Sequence, residues 1–290
     1  INYLIETRAI EAVLRVKAEL ADLVDVQIVG LAGRPTSGDD DGALNRAMLE
    51  KAIELGIDVV GAAPHIDPDP AWVIDYCLRL AAGAHLPVDL HVDENLDPNS
   101  HDLDMLARGV LDLGFAYGAT ASHCVALGIK DEQAQRKTAM ATAEADVSVV
   151  TLPQTNLFLQ ARGQRCSPPR GLTAIAGLLE AGVNVAGGAD NLQDPFNTVG
   201  RGDPLETAAL LVMAAHLDVE QAYHLVSNAS RRAMGLPQVD FQPGDPAELL
   251  AVRGRTLREV VAFAPQDRLV FHRGCLVARS TTSIEITPPA

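Results

Sequence analysis

Aromatic residues are scarce in this chain, at 4% of its 290 positions. Ala, Val and Leu carry the apolar content instead, which suits strand–helix packing better than a sandwich of sheets. Cysteine is also sparse. Cys77, Cys124, Cys166 and Cys275 lie far apart with no CxxC spacing, which argues against a zinc ribbon and a disulfide framework and suits a reducing cytoplasm. Positive charge is in deficit, with 23 Lys and Arg against 38 Asp and Glu, a net charge of −15. A surface this acidic repels phosphate backbones, so no nucleic-acid partner is expected. No apolar run reaches the roughly 18–20 residues of a membrane span, and no signal peptide pattern is visible. The dinucleotide-binding fingerprint is missing too: Leu31-Ala32-Gly33-Arg34-Pro35 follows the first strand pattern and does not match GxGxxG.

What is present is a strand–helix alternation with a period of about 30 residues, the signature of repeated βα units. Short apolar runs predict strands at Val26–Gly30, Ile57–Ala62, Pro87–His91, Ala116–Ser122, Val147–Leu152 and Val183–Gly187. Helical patterns fill the gaps at Thr7–Asp22, Ala43–Leu55, Ala71–Ala82, Ser100–Leu113, Asp131–Ala143 and Gly171–Ala181, and helices dominate Pro204–Met234. Gly56, Gly114 and Gly182 each follow a helix where a left-handed residue is wanted. A closed barrel needs eight strands, and six could also form an open doubly wound sheet. The start at Ile1, close to a helix and without Met, leads us to expect two strands ahead of it. The tail, Gly244–Val252 and then Leu269–Ala278, alternates like short strands. The expected division is a barrel-type α/β unit over 1–240 and a small β-sandwich-like unit over 241–290.

Three acid-and-imidazole clusters end three of the apolar runs: Leu90-His91-Val92-Asp93-Glu94, Ser122-His123-Cys124 and Gly188-Ala189-Asp190-Asn191. In a parallel barrel the strand C-termini share one rim, and active sites form there. His91, Glu94, His123 and Asp190 are therefore expected in one place. Imidazole with carboxylate is the donor set of a catalytic Zn²⁺ or Fe²⁺. His65 also ends a run, although His65-Ile66-Asp67-Pro68 reads equally well as a turn. Asp190-Asn191 could simply cap the next segment, but the Gly187-Gly188 pair before it would allow close approach of a ligand. Cys124 beside His123 is a poor nucleophilic pair, because neighbours in a strand point to opposite faces. His85, His101, His216, His224 and His272 stand in helix or tail contexts and read as structural. Arg231-Arg232 reads as a helix-end charge pair.

On these residues the chain resembles the amidohydrolase superfamily, in its cytosine deaminase branch. Asp58-Val59-Val60-Gly61-Ala62-Ala63-Pro64-His65 is similar to a strand-end segment of that branch, His91-Val92-Asp93-Glu94 to its HxxE motif, and Ser122-His123 to its next histidine. Asn156-Leu157-Phe158-Leu159-Gln160-Ala161-Arg162 with Arg170-Gly171 resembles its substrate-side loop. Gly188 to Phe196 resembles its metal-aspartate segment, and Gly244-Asp245-Pro246-Ala247-Glu248-Leu249 its entry into the C-terminal β unit. The resemblance runs over nearly the whole chain and extends to hydrolases that remove alkylamines from triazine rings. It implies a metal-dependent (β/α)8 TIM-like barrel, here without its first strands, with a small C-terminal β unit.

The resemblance further implies roles. His91 and Asp190 would bind one divalent metal ion, Zn or Fe. Glu94 would move protons between water and a ring nitrogen, His123 would polarise the water and the tetrahedral centre, and Asp190 would accept the water's proton. Asn191, Gln160, Asn156, Phe196 and His65 would line the substrate pocket. A homo-oligomer is implied as well. Two positions depart from the branch pattern. No HxH pair occurs in the sequence, and the amide that reads a pyrimidine carbonyl falls at Leu31, in a segment read as a loop. The first departure leaves a non-catalytic relative open beside an HxH segment lying before Ile1. The second, with Asn191 where the cytosine enzymes carry Asp, turns the expectation from cytosine toward another amino-heterocycle such as a pterin or triazine. An alkylamine-releasing hydrolase is the alternative.

Overall fold

The computed structural model describes residues 1–287. Helix α1 (Arg8–Glu19) leads into β1 (Val29–Ala32), α2 (Asp41–Leu55), β2 (Val59–Ala62), α3 (Pro70–Ala84), β3 (Val88–Val92), α4 (Asp102–Leu113), β4 (Ala119–His123), α5 (Glu132–Glu144) and β5 (Val147–Thr151). Two short helices, α6 (Pro153–Leu159) and α7 (Ile175–Glu180), precede β6 (Val185–Gly187), and α8 (Pro204–Ala215), α9 (Val219–Leu225) and α10 (Asn228–Ala233) follow it. The tail holds β7 (Leu249–Val252), α11 (Leu257–Phe263), β8 (Arg268–His272) and β9 (Cys275–Ser280).

The six strands β1 to β6 pair in parallel, and their order in the sheet equals their order in the chain. A doubly wound sheet reverses its order at a switch point. This one never does, so right-handed crossovers put the connecting helices on one face and the winding is that of a barrel. The alternation along β3 shows both faces: Val88, Leu90 and Val92 are buried against helices, while Asp89 and His91 between them are only partly covered. Leu90, Leu103 and Leu106 are fully buried in the layer between sheet and helices; each such side chain contributes about 1.5–3 kcal/mol by leaving water. The N-terminal side of the inner face is closed by the end of α10. Thr120 Oγ1 donates to the Ala233 carbonyl at 3.4 Å and Gln27 Nε2 to that of Met234 at 2.8 Å.

Helix ends follow local chemistry. Gly56 and Gly114 take φ of 97° and 60° just past α2 and α4, the left-handed conformation that only glycine reaches without steric cost. His85 and His216 fill the same position after α3 and α8.

Several expected boundaries moved. The first strand is Val29–Ala32 rather than Val26–Gly30, because its partner begins at Val59, paired with Val29. Leu31 and Ala32 are therefore strand residues and not the loop the sequence suggests. Leu269–Ala278 is two strands turning at Arg273-Gly274, both at positive φ. Helices α6 and α11 were not foreseen. The described tail has one three-stranded antiparallel sheet, in order β7-β8-β9, with α11 packed on α8 and α9. Polar struts join it to the larger unit. Arg268 reaches both carboxylate oxygens of Asp203 at 3.1 and 2.7 Å, and Arg273 pairs with Asp25 at 2.5 Å.

Candidate active site

His91 stands on the inner face at the end of β3, in register with Ser122 of β4. The chain then turns through Asp93 at φ 53° before Glu94. Such a conformation costs free energy in a non-glycine residue and needs support. Support comes from reciprocal carboxylates. Asp93 accepts from Ser100 Oγ and from the Asp102 and Leu103 N–H groups, at 2.7, 2.8 and 3.2 Å, while Asp102 accepts from the Asp93 N–H at 3.1 Å. The first turn of α4 thus clamps the segment that carries Glu94.

His123 ends β4 opposite Val92, a core residue. By strand alternation it would face the helices. Its φ of 74°, followed by 49° at Cys124, brings the imidazole to the rim instead. Thr173 Oγ1 donates to the His123 carbonyl and fixes the backbone there. Asp190 follows β6 at φ 48°, and Thr155 Oγ1, on α6, donates to its carbonyl at 2.7 Å.

Four expected side chains meet here. His123 Nε2 lies 3.2 Å from His91 Nδ1, 3.5 Å from Glu94 Oε2 and 3.7 Å from Asp190 Oδ2. His91 Nδ1 is 3.9 Å from Glu94. His65 joins them: its Nδ1 donates to the His91 carbonyl at 3.0 Å, and its Nε2 is 3.5 Å from Glu94 Oε2. Burial sets the protonation. It lowers His91 to about 4, with His65 adding to the effect, and lowers His123 to about 3, with His91 adding. His65 is lowered as well, again by burial. Burial, then the charge of Asp190, raises Glu94 to about 7, and burial, then Asp194, raises Asp190 to about 6. Removal from water penalises the charged forms on both sides. Burial thus favours the neutral forms of the imidazoles and of the carboxyls alike.

The other expected residues divide. Asn156 is fully buried and bonded to His123, with Oδ1 2.9 Å from Nδ1. Both ends of the Asn191 amide are engaged within the protein, Oδ1 with Thr155 at 3.2 Å and Nδ2 with Asp194 at 2.8 Å. Phe196 is exposed, and the Gln160 side chain makes no hydrogen bond among the described residues. The Gly187-Gly188 pair has a packing reason: a Cβ on Gly188 would come within 2.8 Å of Leu152 Cδ2, and one on Gly187 within 3.0 Å of Val226. Cys124 is fully buried, and burial pushes its thiol far up, which suits no nucleophile. Arg232 pairs with Asp146 at 3.0 Å.

Sequence reasoning missed Thr155 and Thr173, which hold the backbone of Asp190 and His123. It also missed Asp89, which sits below His91 on the inner face, accepts from Ser122 Oγ at 2.6 Å and is raised to about 6 by burial. Pro153 directly after β5 was the available signal for α6, since proline is favoured in the first helical turn.

Candidate ligand atoms of His91, Glu94 and His123 lie within 4.8 Å of one another, with the Asp190 carboxylate at their edge. Neutral imidazoles and carboxylates around one point fit a divalent transition metal. Asp25, Glu248 and His272 form a second such group, but Arg273 already occupies it: its side chain pairs with Asp25, and its N–H donates to Glu248 at 2.9 Å.

Residues 9–277 match the Amidohydrolase family. The chain is 34% identical over 226 residues to a pterin deaminase of Rhizobium rhizogenes, covering 77% of this chain and 52% of that protein. It is 23% identical over 284 residues to an N-isopropylammelide isopropyl amidohydrolase of Pseudomonas sp., covering 94% of this chain and 66% of that one. It thus spans between half and two thirds of the length of these curated relatives. Among solved structures, a 5-methylcytosine deaminase of Klebsiella pneumoniae liganded with 5-fluorocytosine superposes with a TM-score of 0.87 at 29% identity, over 97% of this chain and 70% of that one.

Proposed function

Because this chain belongs to the amidohydrolase family, we propose that it is a metal-dependent hydrolase that deaminates a small amino-substituted nitrogen heterocycle and releases ammonia. The observation that carries the reading is the meeting of His91, Glu94, His123 and Asp190 at one rim. Relatives named for pterin and 5-methylcytosine deamination support it. His91 and Asp190 would hold one divalent ion, Zn²⁺ or Fe²⁺, which when bound would supply the Lewis acidity that makes hydroxide available from water near neutral pH.

The chain's own residues do the rest. Asp190 accepts the proton of the attacking water. Glu94 protonates the ring nitrogen next to the amino-bearing carbon and so makes that carbon electrophilic. Glu94, now ionised, takes the hydroxyl proton of the tetrahedral centre and passes it to the departing nitrogen, which leaves as ammonia, and the proton held by Asp190 then restores Glu94. His123 stabilises the charge that develops on the tetrahedral centre. Water supplies the new C–O bond as the C–N bond breaks. His65, Asn191, Gln160 and Phe196 line the substrate side. The same reading divides the chain at 240/241 and puts the protein in the cytoplasm as a homo-oligomer. No helix among the described residues is long and apolar enough to cross a membrane.

An ammonia-release screen over pterins, pyrimidines and triazines, on the chain at its full natural length with Zn²⁺ or Fe²⁺, tests the proposal. Turnover of at least one class is expected. No turnover in any class, at full metal occupancy and with the fold intact, contradicts it. The N-isopropylammelide relative supports a second reading, loss of an alkylamine. Product mass spectrometry separates ammonia from alkylamine.

A further inference from the structure

We propose that Asp67 is a positioning residue: its carboxylate locks the loop after β1 to the turn after β2 and so fixes one wall of the substrate side of the rim. In sequence His65-Ile66-Asp67-Pro68 reads as a plain turn, and the proposed chemistry uses only its histidine. Asp67 is nonetheless 8% exposed, and both of its oxygens are engaged. Oδ2 accepts from the Thr36 and Ser37 N–H groups at 2.6 and 3.2 Å, with Thr36 Oγ1 at 3.4 Å. Oδ1 accepts from Ser37 Oγ and from the Asp69 N–H at 3.0 Å. A backbone N–H only donates, so the peptide groups fix the direction of these bonds. They also offset the cost of burying the charge.

The two segments leave the sheet side by side at the rim, because Ala32 and Ala62 are paired at the ends of β1 and β2. Helix α2 holds the loop from behind. Arg46 Nη1 donates to the Thr36 and Gly38 carbonyls at 2.6 and 2.8 Å, and a Cβ on Gly42 would come within 1.9 Å of the Ser37 oxygen. The turn on the other side carries His65, whose ring lies 3.5 Å from Glu94. Asp67 joins the loop and the His65 turn into a single wall. Its chemistry is specific to a carboxylate. Asp67→Asn keeps the volume, but in either orientation its NH₂ faces a backbone N–H that needs an acceptor.

Hydrogen-exchange mass spectrometry on the chain at its full natural length tests the lock without reference to turnover. The peptide that holds Thr36 and Ser37 should exchange slowly in wild type and about 10-fold faster in D67N, with the peptides of β3 and α4 unchanged. Free exchange of this loop in wild type, or equal exchange in both proteins, overturns the proposal. Should D67N not fold, Ser37→Ala decides: it removes one donor, leaves the N–H groups, and should loosen the loop in the same direction, whereas an unchanged loop overturns the proposal. The kinetic part rests on the deaminase reading. A loose loop must be ordered when substrate binds, so D67N should raise KM about 10-fold and leave kcat near the wild-type value. A lower melting temperature with an unaltered KM makes Asp67 merely structural and overturns the positioning role. A wild-type chain without turnover, whose slow loop D67N frees, counts against the function and not against the lock.

Discussion

The two sheets of this molecule are built on opposite terms. In the six-stranded sheet, β2 and β4 are buried at every position, and the helices over them form a continuous apolar layer. In the three-stranded sheet, β9 has five of its six residues exposed, and charged struts such as Arg268–Asp203 hold the sheet in place. Rigidity follows from this difference. The large sheet can hold five non-glycine residues at positive φ along its rim, Asp93, His123, Cys124, Asp190 and Asn191, because packing behind them over-determines the backbone. The small sheet has one such residue, Arg273, in an exposed hairpin turn rather than over a packed layer, and its titratable cluster, His272 with Glu248 and Arg273, ties the chain together.

The largest expected contrast is chemical. Glu94→Gln keeps the shape of the rim and removes the proposed proton carrier. Turnover should fall by about 10²–10⁴-fold, the usual weight of a general acid–base group, with an unchanged melting temperature. Glu248→Gln, in the small unit, should leave kcat nearly untouched. Equal losses in the two variants would erase the distinction between rim and strut.

Packing comes next. Leu106→Ala opens a cavity in the fully buried layer and should cost about 2–5 kcal/mol in denaturant unfolding. Leu276→Ala on β9, where the side chain is 43% exposed, should cost under about 0.5 kcal/mol. Similar midpoints for both would show that the small sheet is as deeply packed as the large one.

The strut sharpens the comparison further. Arg268→Ala strands a partly buried carboxylate and should cost about 1–3 kcal/mol at neutral pH. Burial alone would raise Asp203. The Arg268 hydrogen bonds, the Leu205 N–H and the charges of Arg268 and Arg201 outweigh it and hold the carboxyl below its ordinary range. A depressed folded value means stability that is full above the unfolded carboxylate value, about 3.9, and lost as pH falls through the lower folded one. The difference between wild type and R268A should therefore shrink below about pH 4. A gap that stays constant to lower pH would remove Asp203 from the account.

Sequence reading succeeded where burial sets the pattern. Apolar runs and capping glycines placed the six strands and their helices, and the clusters after β3, β4 and β6 foretold which side chains meet. It failed where tertiary contacts decide. Strand β1 begins at Val29 because β2 begins at Val59, which no local signal says. No local signal shows the hydrogen bond that Asn156, expected on the substrate side, makes to His123, 33 positions away. The left-handed turns at Asp93 and His123, which bring Glu94 and the His123 ring to the rim, are sustained by carboxylates and hydroxyls from other segments.

The account comes down to one point in space that several strand ends share. Anomalous diffraction from crystals soaked in Zn²⁺, compared between wild type and Asp190→Ala, probes that point most directly. A single strong peak within about 2.0–2.2 Å of a His91 nitrogen and an Asp190 oxygen, absent in D190A, is the predicted result. A wild-type peak only at Asp25, Glu248 and His272, or one at the rim that survives loss of Asp190, would contradict it.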